Sequence, residues 1–444
     1  MFKKTKEVSE NLLSVDINKA LFYLALPMAI SILANMSFNL VDTYFIGQLG
    51  IDQLTAISFS FPVVFVVFNL AIGYGIGLSS VLSRLIGADE IKTYYNVGFI
   101  GIILSIILAI IVVSIGINTI DPLFSFLGAK KDHLPYINEY MFYAYLAMGV
   151  RFVSVSLSSL FRARGNTIVP SIAILSTSLF NFVLDPALIF GFMFIPALGI
   201  KGAGLATLIS NILAFIIEII FAVKGSFLNL RFTRLPKEKL FEVFEIALPA
   251  SFANALNPLS VSFMNFLLAK YGDTFVAGFG VGVKIQFFIL IPILALSAAV
   301  SPIVGQASGA KNQARIDETL KASLKFSFLW ILAIAIPIFI FKENIVSEFI
   351  PDLKDFRFTN LFLTIIPISL IGYAAVIINC AALNAFGKAK QSLFIISLRT
   401  FVLFTPIAFL LKELYYENGI LYAVALTNII LFIFCQRLDV KIKD

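Results

Sequence analysis

Apolar residues in this chain gather in long runs, and the charged residues, glycines and prolines gather in the short breaks between them. A run of about 20 apolar residues, rising 1.5 Å per residue in a helix, crosses a hydrocarbon layer of roughly 30 Å. Reading runs against breaks predicts twelve transmembrane helices near residues 18–46, 52–83, 94–118, 135–161, 168–192, 200–223, 240–269, 274–304, 319–341, 358–384, 390–411 and 418–437. Several spans exceed the length a bilayer requires, which predicts tilt, bending or protrusion beyond it. Pro27, Pro62, Pro249, Pro258, Pro292, Pro337 and Pro367 fall inside the runs, where each removes a backbone donor and is a candidate bend. The first run, Ala20 to Phe45, is too long for a signal-peptide core and is expected to stay as helix 1.

The chain also matches itself at a shift of 222 residues, half of its 444. Ala25-Leu26-Pro27 meets Ala247-Leu248-Pro249, Gly50 meets Gly272, Gly87-Ala88 meets Gly309-Ala310, and Gly165 meets Gly387, each at the same point of the hydropathy pattern. The expected fold is therefore all-α, two six-helix bundles: a first lobe over residues 1–223, a polar basic linker over 224–239 and a second lobe over 240–444. Six is an even number, so both halves enter the membrane in the same direction. Their pseudo-twofold axis must run along the membrane normal, and a cleft between the bundles suits alternating access.

Composition sharpens the picture. With 59% hydrophobic and only 13% charged residues, the chain holds far more apolar surface than a soluble core needs. The net charge of +7 does not point to nucleic acid, because the basic residues cluster in the segments on one side of the predicted helices, the side of both termini. That bias predicts a multi-pass membrane protein with both termini on the cytoplasmic side. Cys380 and Cys435 lie within predicted helices and support neither a disulfide nor a thiolate metal site. The one histidine, His133, stands in an outer loop. Gly73, Gly75, Gly77, Gly202 and Gly204 lie in apolar helices, where they permit close approach and form no phosphate loop. No catalytic apparatus is visible, so no enzyme and no cofactor are expected.

Almost all acidic residues fall in loops or at helix ends, Glu218 among them in the last turns of helix 6; Asp42 and Asp185 are the two deep exceptions. A carboxylate in hydrocarbon costs several kcal/mol, which makes each a functional candidate, although a purely structural role between helices would also keep it there. Helices 1 and 5 both run outward, so the two carboxyls sit at similar depth. Asn181 lies one turn from Asp185, and Asn35, Asn39 and Asp42 form one stripe of helix 1. A pocket of carboxylate and amide oxygens suits a proton or a hard cation. No metal beyond a sodium ion is expected there. Under the 222-residue shift Asp42 meets Met264 and Asp185 falls near residues 405–407, so the pocket is expected in the first lobe only. Arg151, Lys284 and Arg399 are intramembrane bases that either line the cleft or snorkel.

The stretches SPIVGQASGAKN (301–312), NFVLDPALIFG (181–191), GIKGAGLATLIS (199–210) and FRARGNT (161–167) resemble those of the multidrug and toxic compound extrusion (MATE) transporters, over essentially the whole chain. The resemblance is closest to the DinF-like branch. It implies two six-helix lobes around a V-shaped cleft and export of cationic or amphipathic organic compounds in exchange for protons or sodium ions. It carries the branch's ion-site residues onto Asp42, Asn181, Asp185 and Thr207, with the carbonyl of Ala203 as a further ligand, and a bend of helix 1 onto Pro27. The NorM-like branch has a glutamate on helix 7 where this chain has Asn257. Asn35, Asn39, Asn257, Met264 and Lys284 are expected to line the substrate cleft. A monomer in the lipid bilayer, acting on small organic substrates, is expected. The alternative is a lipid-linked precursor flippase of a related export family, which would call for extra helices and a strongly cationic cavity.

Overall fold

The computed structural model describes residues 12–194, 196–225, 227, 235–349 and 357–437. Most of the expected linker and both chain ends lie outside them. The first lobe contains α1 (Ile17–Gly47), α2 (Ile51–Gly87), α3 (Ile91–Asn118), the short α4 (Ile120–Phe126), α5 (Leu134–Ala163), α6 (Ile168–Ile189) and α7 (Ile200–Lys224). The second contains α8 (Lys237–Ala269), α9 (Asp273–Gly309), α10 (Gln313–Phe349), α11 (Arg357–Ala385), α12 (Ala389–Ser397), a π-helical stretch (Leu398–Phe404) and α13 (Thr405–Gln436).

Among the described residues, 10 helical runs are long and apolar enough to cross a membrane. The last, Ala389–Gln436, is 48 residues long and holds two crossings, because the chain reverses at Tyr416 (φ 53°, ψ −134°). Just beyond the reversal, a Cβ on Gly419 would lie 2.2 Å from the Leu411 carbonyl oxygen, which a straight helix could never bring so close. With the 33-residue α8, the expected twelve crossings are present. The sequence places a loop over residues 412–417, where Lys412, Glu413 and Glu417 interrupt the apolar run; the chain instead stays helical to Tyr415 and turns on a single residue.

Local chemistry sets the helix ends and the packing. The Asp16 carboxylate accepts the Lys19 amide at 3.0 Å and opens α1. On α3, Ile107, Ile110, Ile111 and Ile115 are exposed, as side chains solvated by lipid should be. The opposite face of α3 is small: Gly101 takes the Leu78 side chain and, through its carbonyl, the Tyr74 hydroxyl at 2.7 Å, while Gly116 takes the Tyr145 ring. Pro27 lies within α1, which continues as one helix from Ile17 to Gly47.

The duplication is visible in the backbone. Gly50 and Gly272 precede α2 and α9 with φ 136° and 124°, and Asp89 and Lys311 follow the same helices with φ 58° and 55°. The lobes meet through these two helices in a two-fold pattern. A Cβ on Gly87 would lie 1.9 Å from the Gln306 carbonyl oxygen, and one on Gly309 would lie 2.0 Å from that of Arg84, the positions that the 222-residue shift exchanges. Gly305 packs on Ser83, its own equivalent, which marks where the axis passes. Side chains reach across in the same sense. Gln306 Nε2 donates to the Ala163 carbonyl at 2.8 Å and Arg84 Nη1 to that of Phe386 at 3.2 Å, each tying up the end of a helix in the opposite lobe. Arg84 also pairs with Glu242 of α8 at 2.9 Å. All these contacts lie at one end of the bundles, the end that carries most of the basic residues.

The expected boundary between lobes is crossed at the start of the chain. Leu12, Ile17, Ala20, Leu21 and Leu24 belong to the apolar core of the second lobe, and the buried Arg315 of α10 donates to the Leu12 carbonyl at 2.8 and 3.2 Å.

Candidate ion site and polar cavity of the first lobe

Three helices converge on the two deep carboxylates. Ile46 of α1, Ile189 of α6 and Ala203 of α7 form one buried apolar cluster, with Tyr140 of α5 packed against it. One turn deeper on the same helices stand Asp42, Asp185 and Thr207, so the cluster covers a layer in which all three lie at the same level. Small residues permit the convergence: Gly202 lies on the Leu188 carbonyl and Gly204 on that of Tyr140.

Within that layer the Asp42 and Asp185 carboxyls lie within hydrogen-bonding reach of each other. Asn181 Nδ2 donates to Asp185 Oδ1 at 2.8 Å, and both residues are completely buried. Asp42 Oδ1, Asp185 Oδ2 and Asn181 Oδ1 are buried without a hydrogen-bond partner among the described residues. Two facing carboxylates repel unless a proton or cation sits between them, and three unmatched oxygens form the hard, oxygen-only environment that such a cation takes. Tyr140, which the sequence reading missed, packs against the apolar cluster that covers the pair. Its only sequence signal is a tyrosine among the aromatic residues of an apolar helix.

The remaining expected residues fall as follows. Asn35 is half-buried, two turns from Asp42 on α1, while the Asn39 side chain lies outside the described residues. Asn257 accepts the Tyr373 hydroxyl at 3.0 Å, and Lys284 is exposed on α9. Met264 is 7% exposed and packs with the apolar core of the second lobe, beside Ser260, Arg399 and Thr400. Arg399, on the π-helical stretch, does not snorkel; it is buried with its guanidinium 4.1 Å from the centre of the Tyr373 ring.

A second polar site was not foreseen. Glu218, expected at a helix edge, is completely buried and accepts hydrogen bonds from the Ser154 and Ser158 hydroxyls of α5, each at 2.5 Å. With Arg151, Arg162 and Phe68 these residues line a cavity of about 270 Å³. Thr177 and Asn211 of the cavity stand on the same faces of α6 and α7 as Asp185 and Thr207, so a polar track runs through the lobe from the ion site to the cavity.

The MatE family model matches this chain over residues 27–187 and again over residues 249–410, keeping the 222-residue offset of the repeat. A FAD transporter of Shewanella oneidensis is 33% identical over 98% of this chain and 96% of its own length. The multidrug export protein MepA of Staphylococcus aureus is 26% identical over 92% of this chain and 90% of its own. Among solved structures, the Vibrio cholerae MATE transporter VcmN in its bent form superposes with a TM-score of 0.89 at 28% identity, over 98% of this chain and 96% of the other.

Proposed function

The chain belongs to the MatE family of membrane transporters, which are not enzymes, and from that premise we propose that it is a secondary antiporter. It exports small amphipathic organic compounds in exchange for protons or sodium ions, and the Asp42–Asp185 pair carries the exchanged ion. The observation that supports this most is the pair itself, two neighbouring carboxyls that each leave one buried oxygen unmatched, with a third from Asn181, in the first lobe. The second lobe has Met264 and Ile407 at the equivalent positions and Asn257 on α8, which favours the DinF-like arrangement over one with a second-lobe carboxylate.

The positive-inside bias assigns the basic end to the cytoplasm of a prokaryotic cell. On that orientation the α2–α9 contacts close the inner face and the ion site is nearer the outer one. An ion arriving from outside relieves the repulsion between Asp42 and Asp185. Discharging it inward requires the α2–α9 contacts to open, which exposes the cleft to substrate from the cytoplasm. The relatives named for FAD and for multidrug export differ in cargo, and the cavity's two guanidiniums against one carboxylate favour amphipathic over cationic compounds. The twelve crossings among the described residues are the number that this reading expects.

The test is transport into proteoliposomes of a fluorescent organic cation and a fluorescent organic phosphate, under separate proton and sodium gradients. One gradient is expected to drive uptake by the wild type, and Asp185→Asn to abolish that drive. Uptake indifferent to both gradients would refute antiport.

A further inference from the structure

The cavity around Glu218 has a charge composition that its own groups do not balance. Arg151, Ser154, Ser158 and Arg162 follow one another at spacings of three, four and four residues along α5, which turns them all to one face. Glu218 comes from α7 and spends both carboxylate oxygens on the two serine hydroxyls. It therefore acts on the arginines through space, without a direct pair to either. Arg162 Nη2 is partly occupied, donating to Ser159 Oγ at 3.1 Å. Arg151 makes no hydrogen bond among the described residues; its guanidinium lies 5.0 Å from the centre of the Phe68 ring, which holds its plane while leaving its donors free. Two cations against one carboxylate leave one positive charge in a cavity whose remaining wall mixes apolar side chains with hydroxyl and amide groups.

We propose that this cavity binds the phosphate group of an amphiphilic organic phosphate, with Arg151 and Arg162 as its ligands. Guanidinium forks match the oxygens of a phosphate in pairs. The cavity's volume of about 270 Å³ is below that of a typical pocket for a whole drug-sized molecule, so it takes the charged head and leaves the organic body in the cleft. Its far wall is Ser301 and Pro302 of α9, one turn from Gly305 where α9 rests on Ser83 of α2. Parting α2 from α9 withdraws that wall. The same movement that opens the basic end therefore uncovers the arginines, which is how an exporter would load. This inference deepens the transport reading by naming a cargo class, but binding can be measured with no gradient and so stands or falls separately from ion coupling.

The experiment is equilibrium binding of riboflavin phosphate and of uncharged riboflavin to the purified full chain in lipid nanodiscs, read by flavin fluorescence. The phosphate ester is expected to bind at least about tenfold more tightly than riboflavin. Arg151→Gln should remove that preference and Arg151→Lys should restore part of it. Glu218→Gln, by deleting the opposing charge, should tighten the ester further, a change of sign that a damaged fold would not produce. Inorganic phosphate should compete only weakly, because it lacks the organic body. Equal binding of the two flavins, an Arg151→Gln variant that keeps the preference, or weaker ester binding by Glu218→Gln would each overturn the assignment. Inorganic phosphate binding as tightly as the ester would reduce the cavity to a free-anion site and equally overturn the cargo claim.

Discussion

At Asp185 one amide decides which oxygen is available. Asn181 occupies Oδ1, and Oδ2 is left buried without a partner among the described residues. Asn181→Leu removes the donor that holds this geometry, a loss of about 1.5 kcal/mol at the low end for a hydrogen bond to a charged group, equivalent to roughly tenfold. A proton dependence should shift to about that much lower proton concentration, because a carboxylate that loses a donor holds a proton more tightly, whereas a sodium dependence should shift to higher concentration with the loss of the Asn181 oxygen; an unchanged ion dependence would mean that Asn181 only packs. Asp42 and Asp185 were legible in the sequence because a carboxylate within an apolar run has no cheap explanation. Glu218 was not, since its position near the end of α7 reads as an interfacial turn. Its burial depends on Ser154 and Ser158 of another helix, and serines at that spacing look like ordinary small packing residues.

Among the elements, α2 and α9 form the inner-face contact that the proposed antiport requires to open. Gly87 and Gly309 have no room for a side chain while that contact is made. Gly309→Val should therefore hold the basic end apart and shift the population toward the inward-open state. The check is labelling of Ser83→Cys with a membrane-impermeant maleimide from the cytoplasmic side, which should be slow in the parent and several-fold faster with Gly309→Val; equal rates would show that this contact is not the gate. Cys380 and Cys435 are buried and should contribute little background. A static tie is predicted at the start of α1. Arg315→Ala strands the buried Leu12 carbonyl and should cost about 1–3 kcal/mol, read as a lower thermal midpoint. Helix spans follow directly from hydropathy. The single-residue reversal at Tyr416 and the π-helical stretch do not, because both depend on where neighbouring helices leave space, as does the burial of Met264.

Across the whole molecule, duplication and asymmetry coexist. The backbone repeats closely enough that left-handed residues recur at Asp89 and Lys311, yet the polar interior does not repeat. Opposite Asp42 and Asp185 stand Met264 and Ile407, and opposite Arg151, Ser154 and Ser158 stand Tyr373, Val376 and Cys380. The repeat and its axis were legible from a few glycines and prolines at one offset. The polar track through the first lobe was legible only at its ion-site end, because the rest is assembled from residues on different helices. The central claim is that ion coupling resides in the Asp42–Asp185 pair of the first lobe alone. It is tested most directly by comparing uphill accumulation with downhill flux of the same substrate in proteoliposomes, for wild type, Asp42→Asn and Asp185→Asn under an imposed ion gradient. The wild type should accumulate substrate against its gradient, while each variant should carry it only downhill; uphill accumulation by either variant at the wild-type level would contradict the claim.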